Sequence, residues 1–248
     1  MKRTLKTSVV IAVFFLVVVI RVHAEDKTNK WPSITLSSLV ANKYLQPGTG
    51  DTLHNRPVIQ TDLLVTFKNG LYLDLWNSRS LQGKWDDGSL GNEVDYGLGW
   101  DGTVKGLTAH IGFAYYNEPK AFTLGAGDIF YTELRLGKEF KWLSVTAGYQ
   151  SYTTMPGSGF QGGHLVSLGV SRTQSFYGDK VSLNASFAGV YDTGTLGTLA
   201  GFMLRGNAGI NWNINKHFTF NAVSVNYYVP LTRRATGAMV MSGLTYRF

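Results

Sequence analysis

The side chains in this chain that could do chemistry are few. Asp62, Asp74, Glu93, Asp95, Glu133, Arg135 and Arg205 stand in segments where polar and apolar residues alternate. Paired carboxylates suit general acid–base work. Acids opposed to bases set up a transverse field that orients polar solutes in a watery passage. In a strand, successive side chains point to opposite faces, so each of these groups falls opposite an apolar face. On the lipid side of a membrane barrel an Arg or Lys costs about 2–4 kcal/mol near the midplane. A lumen is therefore where they are expected, as a constriction with an acidic wall on early strands and arginines, Arg247 included, on late ones. Acids and bases are read there as nearly balanced, which predicts weak ion selectivity.

Other constellations carry less. The chain has no cysteine, which excludes thiol catalysis, a disulfide scaffold and a cysteine zinc site. His54, His110, His164 and His217 are scattered, with no pair at metal-ligand spacing, so no metal is expected. Gly97-Leu98-Gly99-Trp100-Asp101-Gly102 matches a dinucleotide fingerprint, but it lies in a strand that runs toward another strand, not into a helix. No cofactor is expected; the glycines are read as inward positions beside bulky lumen side chains. Gly157-Ser158-Gly159 lacks the spacing of a nucleophile elbow. Asn184-Ala185-Ser186 is a glycosylation sequon by pattern, but falls mid-strand. A Ser–His lipid hydrolase would need both residues adjacent on the outer face, and His110 falls on the inner one. The chain is not expected to be an enzyme.

The elements that position these residues follow from periodicity. Val94, Tyr96, Leu98 and Trp100 alternate with Glu93, Asp95, Gly97 and Gly99. Leu107, Ala109, Ile111, Phe113 and Tyr115 form another apolar face. Twelve such segments are predicted, at about 33–44, 58–67, 71–79, 92–101, 106–117, 127–137, 141–151, 163–172, 181–191, 201–213, 217–229 and 237–248. Connections alternate in length. Tight ones hold Lys68-Asn69-Gly70, Asp101-Gly102, Gly137-Lys138-Glu139 and Asn213 to Lys216. Wider ones span 45–57, 80–91, 118–126, 152–162, 192–200 and 230–236, and 173–180 is long for its tight class.

Ten-residue strands suit a tilted bilayer crossing, and closing the sheet satisfies every backbone polar group inside lipid. The fold expected is all-β: a transmembrane antiparallel up-and-down barrel of about twelve strands, with ten or fourteen as alternatives. A barrel needs an apolar residue only at every second position. That accounts for 16% charged residues and a mean hydropathy of −0.03 without a second long apolar run. Glycine, at 29 of 248 residues, is well above the average of roughly 7%. Tyr44, Tyr115, Tyr149, Tyr191 and Tyr228 are placed on the apolar face near one membrane surface, and Trp100, Trp212, Tyr246 and Phe248 near the other, as aromatic girdles. A secreted β-sandwich also alternates, but its outward faces carry Lys and Glu that are scarce here.

The chain begins with Lys2, Arg3 and Lys6, then an apolar run from Val9 to Ile20, then Val22-His23-Ala24. That is the pattern of a cleaved secretory signal peptide over 1–24, leaving the barrel domain at 25–248. The signal segment holds four bases and no acid, so the net charge of +7 falls to +3 beyond it. A nucleic-acid partner is not expected. The final strand, Met239 to Phe248, resembles the terminal segment read by the barrel assembly machinery.

Four stretches in order carry a family resemblance: Asn42-Lys43-Tyr44, Arg56-Pro57-Val58-Ile59-Gln60, Asn69 to Ser78, and Asn92 to Trp100. Together they resemble the TorF-like porins of proteobacterial outer membranes. The family tends to have Ser where Asn42 stands and Gly where Asp74 stands. The resemblance covers roughly residues 34–116 and implies a barrel and a channel, without a substrate. The function expected is passive passage of small hydrophilic solutes through a narrow mixed-charge lumen in the bacterial outer membrane, with membrane lipid as surroundings. The alternatives are a filled, non-conducting barrel with a structural or surface-interaction role through its loops, and a lipid-modifying enzyme.

Overall fold

The computed structural model describes residues 32–82, 91–117, 129–154, 161–231 and 236–248. The predicted signal segment, 1–24, lies outside them. The strands are Ser33–Ala41 (β1), Tyr44–Leu45 (β2), Thr52–His54 (β3), Val58–Thr66 (β4), Leu71–Ser80 (β5), Glu93–Val104 (β6) and Leu107–Asn117 (β7). They continue as Ile129–Glu139 (β8), Ser144–Thr154 (β9), Gly163–Phe176 (β10), Val181–Asp192 (β11), Gly201–Asn213 (β12), Phe218–Pro230 (β13) and Gly237–Arg247 (β14). All but β2 and β3 form a closed antiparallel barrel of twelve strands. The seam is β1 against β14, from Thr35↔Arg247 to Ala41↔Met241, while β1 pairs with β4 on its other edge. Closure leaves no edge strand, since every strand of the ring is paired on both sides.

Several strands run further than the alternation alone suggests. β6 passes through Asp101 and Gly102, and its turn is at Lys105-Gly106, with φ of 51° and 75°. Two consecutive left-handed residues make the turn that matches strand twist in a two-residue hairpin. β8 likewise continues through Gly137-Lys138-Glu139 before turning at 140–143. β10 reaches Phe176, so the connection expected to be long is a four-residue turn, 177–180, after a long strand. The five tight turns, the start of β1 and the end of β14 share one end of the barrel.

One irregularity changes which side chains point inward. Asn211 pairs with Asn221, but Ile210 pairs with Val223. Ala222 is thus an extra residue, a bulge that flips the remainder of β13 to the opposite face.

The outer wall is mostly apolar between the two ends of the barrel. Leu98, Leu168, Phe187 and Phe202 are more than half exposed. A continuous band of this kind is unstable against water and suits hydrocarbon. The buried apolar cluster lies at the end of the long connections and includes Leu45, Val58, Tyr152, Leu165, Met203 and Tyr228. It exists because the first long connection folds inward.

Candidate functional site

The first long connection, 42–57, crosses the barrel interior. Asn42 starts it with paired contacts to β14: its N–H donates to the Val240 carbonyl at 3.0 Å, and its Oδ1 accepts from the Val240 N–H at 2.9 Å. β2 and β3 then form a small hairpin, Tyr44↔His54 and Leu45↔Thr52. At its tip Gln46 Oε1 accepts from the N–H groups of Gly48 and Thr49, both at 2.6 Å. Leu45 and Thr49 are fully buried.

Three walls hold this loop. The Tyr44 hydroxyl donates to Glu93 Oε2 on β6 at 2.5 Å. Gln46 Nε2 donates to the Tyr152 hydroxyl on β9 at 3.2 Å. The Pro47 carbonyl accepts from the Tyr228 hydroxyl on β13 at 2.9 Å and from Arg205 Nη1 on β12 at 3.4 Å. β6 and β12 stand half a turn apart in the ring, so the loop spans a diameter. Gly50 is required for this approach, since a Cβ there would strike the Tyr228 side chain and its φ is +75°.

Tyr44 lies in the loop, outside the spanning strands. Burial, and then the Glu93 carboxylate, hold its phenol well above the usual pKa, so it stays a donor. Tyr44→Phe removes that donor and leaves a buried acceptor without it. The expected cost is about 1–3 kcal/mol, read from urea unfolding of the detergent-folded barrel. An unchanged midpoint would show that the contact carries no stability.

Two chambers flank the loop. One, of about 440 Å³, is lined by Asp62, Asp74, Glu93, Asp95, Glu133 and Arg135, with Tyr72, Trp76, His110, Tyr116 and Tyr131. The other, of about 490 Å³, shares Glu133 and Arg135 and adds Gln150, Arg205, Asn207 and Asn226. Pro47 touches both. A third space, of about 260 Å³, is uncharged and lined by Asn184, Asn207, Asn211, Asn221 and Thr245 among others. All seven charged residues singled out from the sequence thus line interior space.

Their pairing is uneven. Glu133 is well supplied: Gln150 Nε2 donates to it at 2.8 Å, Arg135 Nε lies at 3.4 Å and His110 Nε2 at 3.6 Å. His110 Nδ1 also meets Asp101 at 2.8 Å. Asp62 and Asp74 form no ion pair among the described residues, and their Oδ1 atoms are buried with no hydrogen-bond partner there. The expected near-balance of acids and bases does not describe this wall. Asp101 adds a sixth inward acid against Arg135 and Arg205, because β6 extends past the residue read as its turn.

The inward aromatics were the missed component. Tyr116 and Tyr131 stack at 5.5 Å, and Tyr131 packs on Tyr152 at 5.0 Å. The signal was parity: Tyr72 and Trp76 flank Asp74 at every second position, and Tyr131 precedes Glu133 and Arg135 in the same way. Gly99 faces Tyr72, whose hydroxyl a Cβ would strike. Gly97 faces Asp74 in the same way, whereas Gly102, expected inward, lies on the outer face against the Trp100 ring.

Of the aromatic residues expected on the outer face, Tyr115, Tyr149 and Tyr191 stand on it at the long-connection end. Tyr149 and Tyr191 are exposed there, and Tyr115 pairs with outward Phe130. Trp100, Trp212, Tyr246 and Phe248 stand on it at the tight-turn end; Tyr246 packs on Phe218 at 4.6 Å and on Phe248 at 4.5 Å. Tyr44 and Tyr228 do not. Tyr44 is 3% and Tyr228 4% exposed, both inside. β1 ends at Ala41, so Tyr44 belongs to the inserted loop. The Ala222 bulge turns Tyr228 inward and puts Tyr227 on the outer face. His164 is on the outer face opposite Ser151, with its Nδ1 2.9 Å from the Tyr149 hydroxyl. Among the described residues no group of three or more His, Asp or Glu could hold a metal ion.

No family model matches the chain, and no curated protein matches it. Solved structures do. One, described as the KdgM porin in complex with disordered oligogalacturonate, aligns with a TM-score of 0.54 at 12% identity, over 87% of this chain and 99% of that one. Another, the NanC porin, aligns with a TM-score of 0.52 at 8% identity, over 86% and 98%. At such identity the likeness establishes the fold alone: a closed twelve-stranded antiparallel β-barrel.

Proposed function

We propose that this protein is a porin-like channel of the bacterial outer membrane that passes small hydrophilic solutes passively. The observation that carries this reading is a polar, charge-lined interior, with a chamber on each side of the 42–57 loop, enclosed by an apolar wall. Small barrels filled with side chains conduct nothing, whereas large ones are open; at twelve strands the inserted loop is what sets the bore. The resemblance of residues 34–116 to the TorF-like porins supports the same reading, as does the shared fold with two porins. The reading is non-enzymic. It includes export through the basic and apolar segment 1–24, and engagement of the assembly machinery by the last strand, ending in Phe248.

The lumen is proposed to favour cations. Asp62, Asp74, Glu93, Asp95, Asp101 and Glu133 line the acidic chamber, while Arg135 is engaged by Glu133 and Arg205 by Pro47. A ring or wall of acids raises the local cation concentration in a pore. The test is planar-bilayer recording of the folded barrel in a potassium chloride gradient. The reversal potential is expected to report potassium over chloride by roughly threefold or more, and Asp74→Asn with Asp95→Asn should bring the ratio close to one. Discrete steps with chloride preference would overturn the selectivity and leave the channel. Silence from a heat-modifiable, correctly folded barrel would overturn the channel itself. It would favour a filled barrel, the second reading, for which the loop that spans the full diameter is the specific observation.

A further inference from the structure

The tight-turn end of the barrel carries a one-sided charge. Each of the five tight connections holds a lysine: Lys68, Lys105, Lys141, Lys180 and Lys216. Lys138, Arg172 and Arg247 stand close by at the same end, and all eight are exposed. The acids there are Asp101, Glu139 and Asp179, of which Asp101 is engaged by His110. Among the described residues of the longer connections no such excess appears: Lys43 and Arg56 stand against Asp51. The basic collar is therefore a property of one end.

Its depth is marked by aromatic residues. Trp100, Trp142, Trp212, Tyr246 and Phe248 occupy the outer face at this end, and Trp142 is 64% exposed. Such residues prefer the headgroup level of a bilayer. Trp142 is bracketed by two cations, Lys141 Nζ at 5.2 Å and Arg172 Cζ at 5.7 Å from the ring centre. Arg172 shares its outward column with Val170 and Leu168, which are 43% and 64% exposed. An arginine ending an apolar column is costly in hydrocarbon but favourable where its guanidinium meets phosphate.

We propose that this end of the barrel is a docking surface for anionic phospholipid headgroups, with its best-formed seat at Lys141, Trp142 and Arg172. The ammonium and guanidinium groups would bind the phosphodiester oxygens, the indole would lie against the glycerol region, and the acyl chains would run along Leu168 and Val170. Charge complementarity and the depth set by the tryptophans select a lipid over a soluble anion. This inference rests on the barrel spanning a bilayer and is independent of conduction.

The experiment is native mass spectrometry of the full folded chain in neutral detergent, with phosphatidylglycerol or phosphatidylcholine of matched acyl length. Phosphatidylglycerol should be retained about fivefold more strongly for each cation that engages it. Lys141→Gln with Arg172→Gln should remove most of that preference. Equal retention of both lipids by the unaltered barrel would overturn the proposal. So would a folded, heat-modifiable double variant that keeps the preference. If the variant does not fold, the unaltered barrel decides: about 0.5 M salt should erase an electrostatic preference, and its persistence would overturn the proposal. Full displacement of the lipid by soluble glycerol phosphate would overturn the lipid assignment. Neither side chain faces the lumen, so loss of this preference and loss of conductance are separate results.

Discussion

Replacing residues 45–53 with a short Gly-Ser link is expected to raise single-channel conductance by roughly threefold or more, because the lumen of a twelve-stranded barrel is set by what fills it. The hairpin occupies a full diameter, from Glu93 on β6 to Arg205 on β12. Its buried residues Leu45, Gln46 and Thr49 fill the space between the two charged chambers. The barrel wall should survive their removal, because the ladder hydrogen bonds of all twelve strands lie outside the loop. Losing the apolar contacts of Leu45 and the Tyr44–Glu93 bond will lower stability, so the shortened chain should unfold at lower urea while remaining heat-modifiable. An unchanged conductance with a folded barrel would mean that the bore is set by the wall residues, and the constriction would have to be sought among the stacked tyrosines Tyr116, Tyr131 and Tyr152.

Gly243→Val should prevent the barrel from closing. Gly243 lies on β14 opposite Leu39 of β1, at the seam that joins the two ends of the sheet. A Cβ there would strike the Ser38 carbonyl oxygen and lie 2.7 Å from Leu39 Cα, both backbone atoms that cannot move without breaking the ladder. Overpacking against backbone costs on the order of 3 kcal/mol or more, enough to remove much of the stability of an ordinary domain. The variant should run on unheated gels at the position of the denatured chain. Gly189→Ala is the control. Nothing lies within 4 Å of a Cβ at that position on β11, and the variant should fold like the unaltered protein. A Gly243→Val barrel as stable as that control would show that the seam tolerates displacement and that closure does not depend on this glycine.

The two substitutions read different layers of the same design. The seam is a matter of strand pairing, which alternation and turn residues largely dictate. The bore is a matter of where one loop goes. The charged wall lies between these cases. Asp62, Asp74, Glu93, Asp95, Glu133, Arg135 and Arg205 could be assigned to the interior from parity alone, and all seven line it. Their balance could not, because it depends on which residues end a strand. Asp101 reads as a turn residue in Asp101-Gly102, yet β6 runs on to Val104 and carries Asp101 inward to His110.

By itself the sequence indicated about twelve strands, with ten or fourteen left open, the alternation that separates an apolar wall from a polar lumen, and most of the short connections, 173–180 excepted. These are local properties: a period of two is written in adjacent residues, and turns are written in Asn, Gly and Lys at their tips. Gly99 too was legible as an inward glycine beside a bulky lumen side chain, now identified as Tyr72. The side on which Tyr228 falls was marked in the sequence but missed: apolar residues hold even positions from Phe218 to Ala222 and odd ones from Val223 to Val229, a change of parity that pairing with β12 and β14 shows to be a bulge. Only the tertiary structure decided that Tyr44 and the loop after it turn into the barrel. The partners that draw them in, Glu93, Tyr152, Arg205 and Tyr228, lie between 49 and 181 residues away in the chain. Contacts at such separation form because ring closure brings opposite walls within reach of one short loop, and no local pattern records that distance.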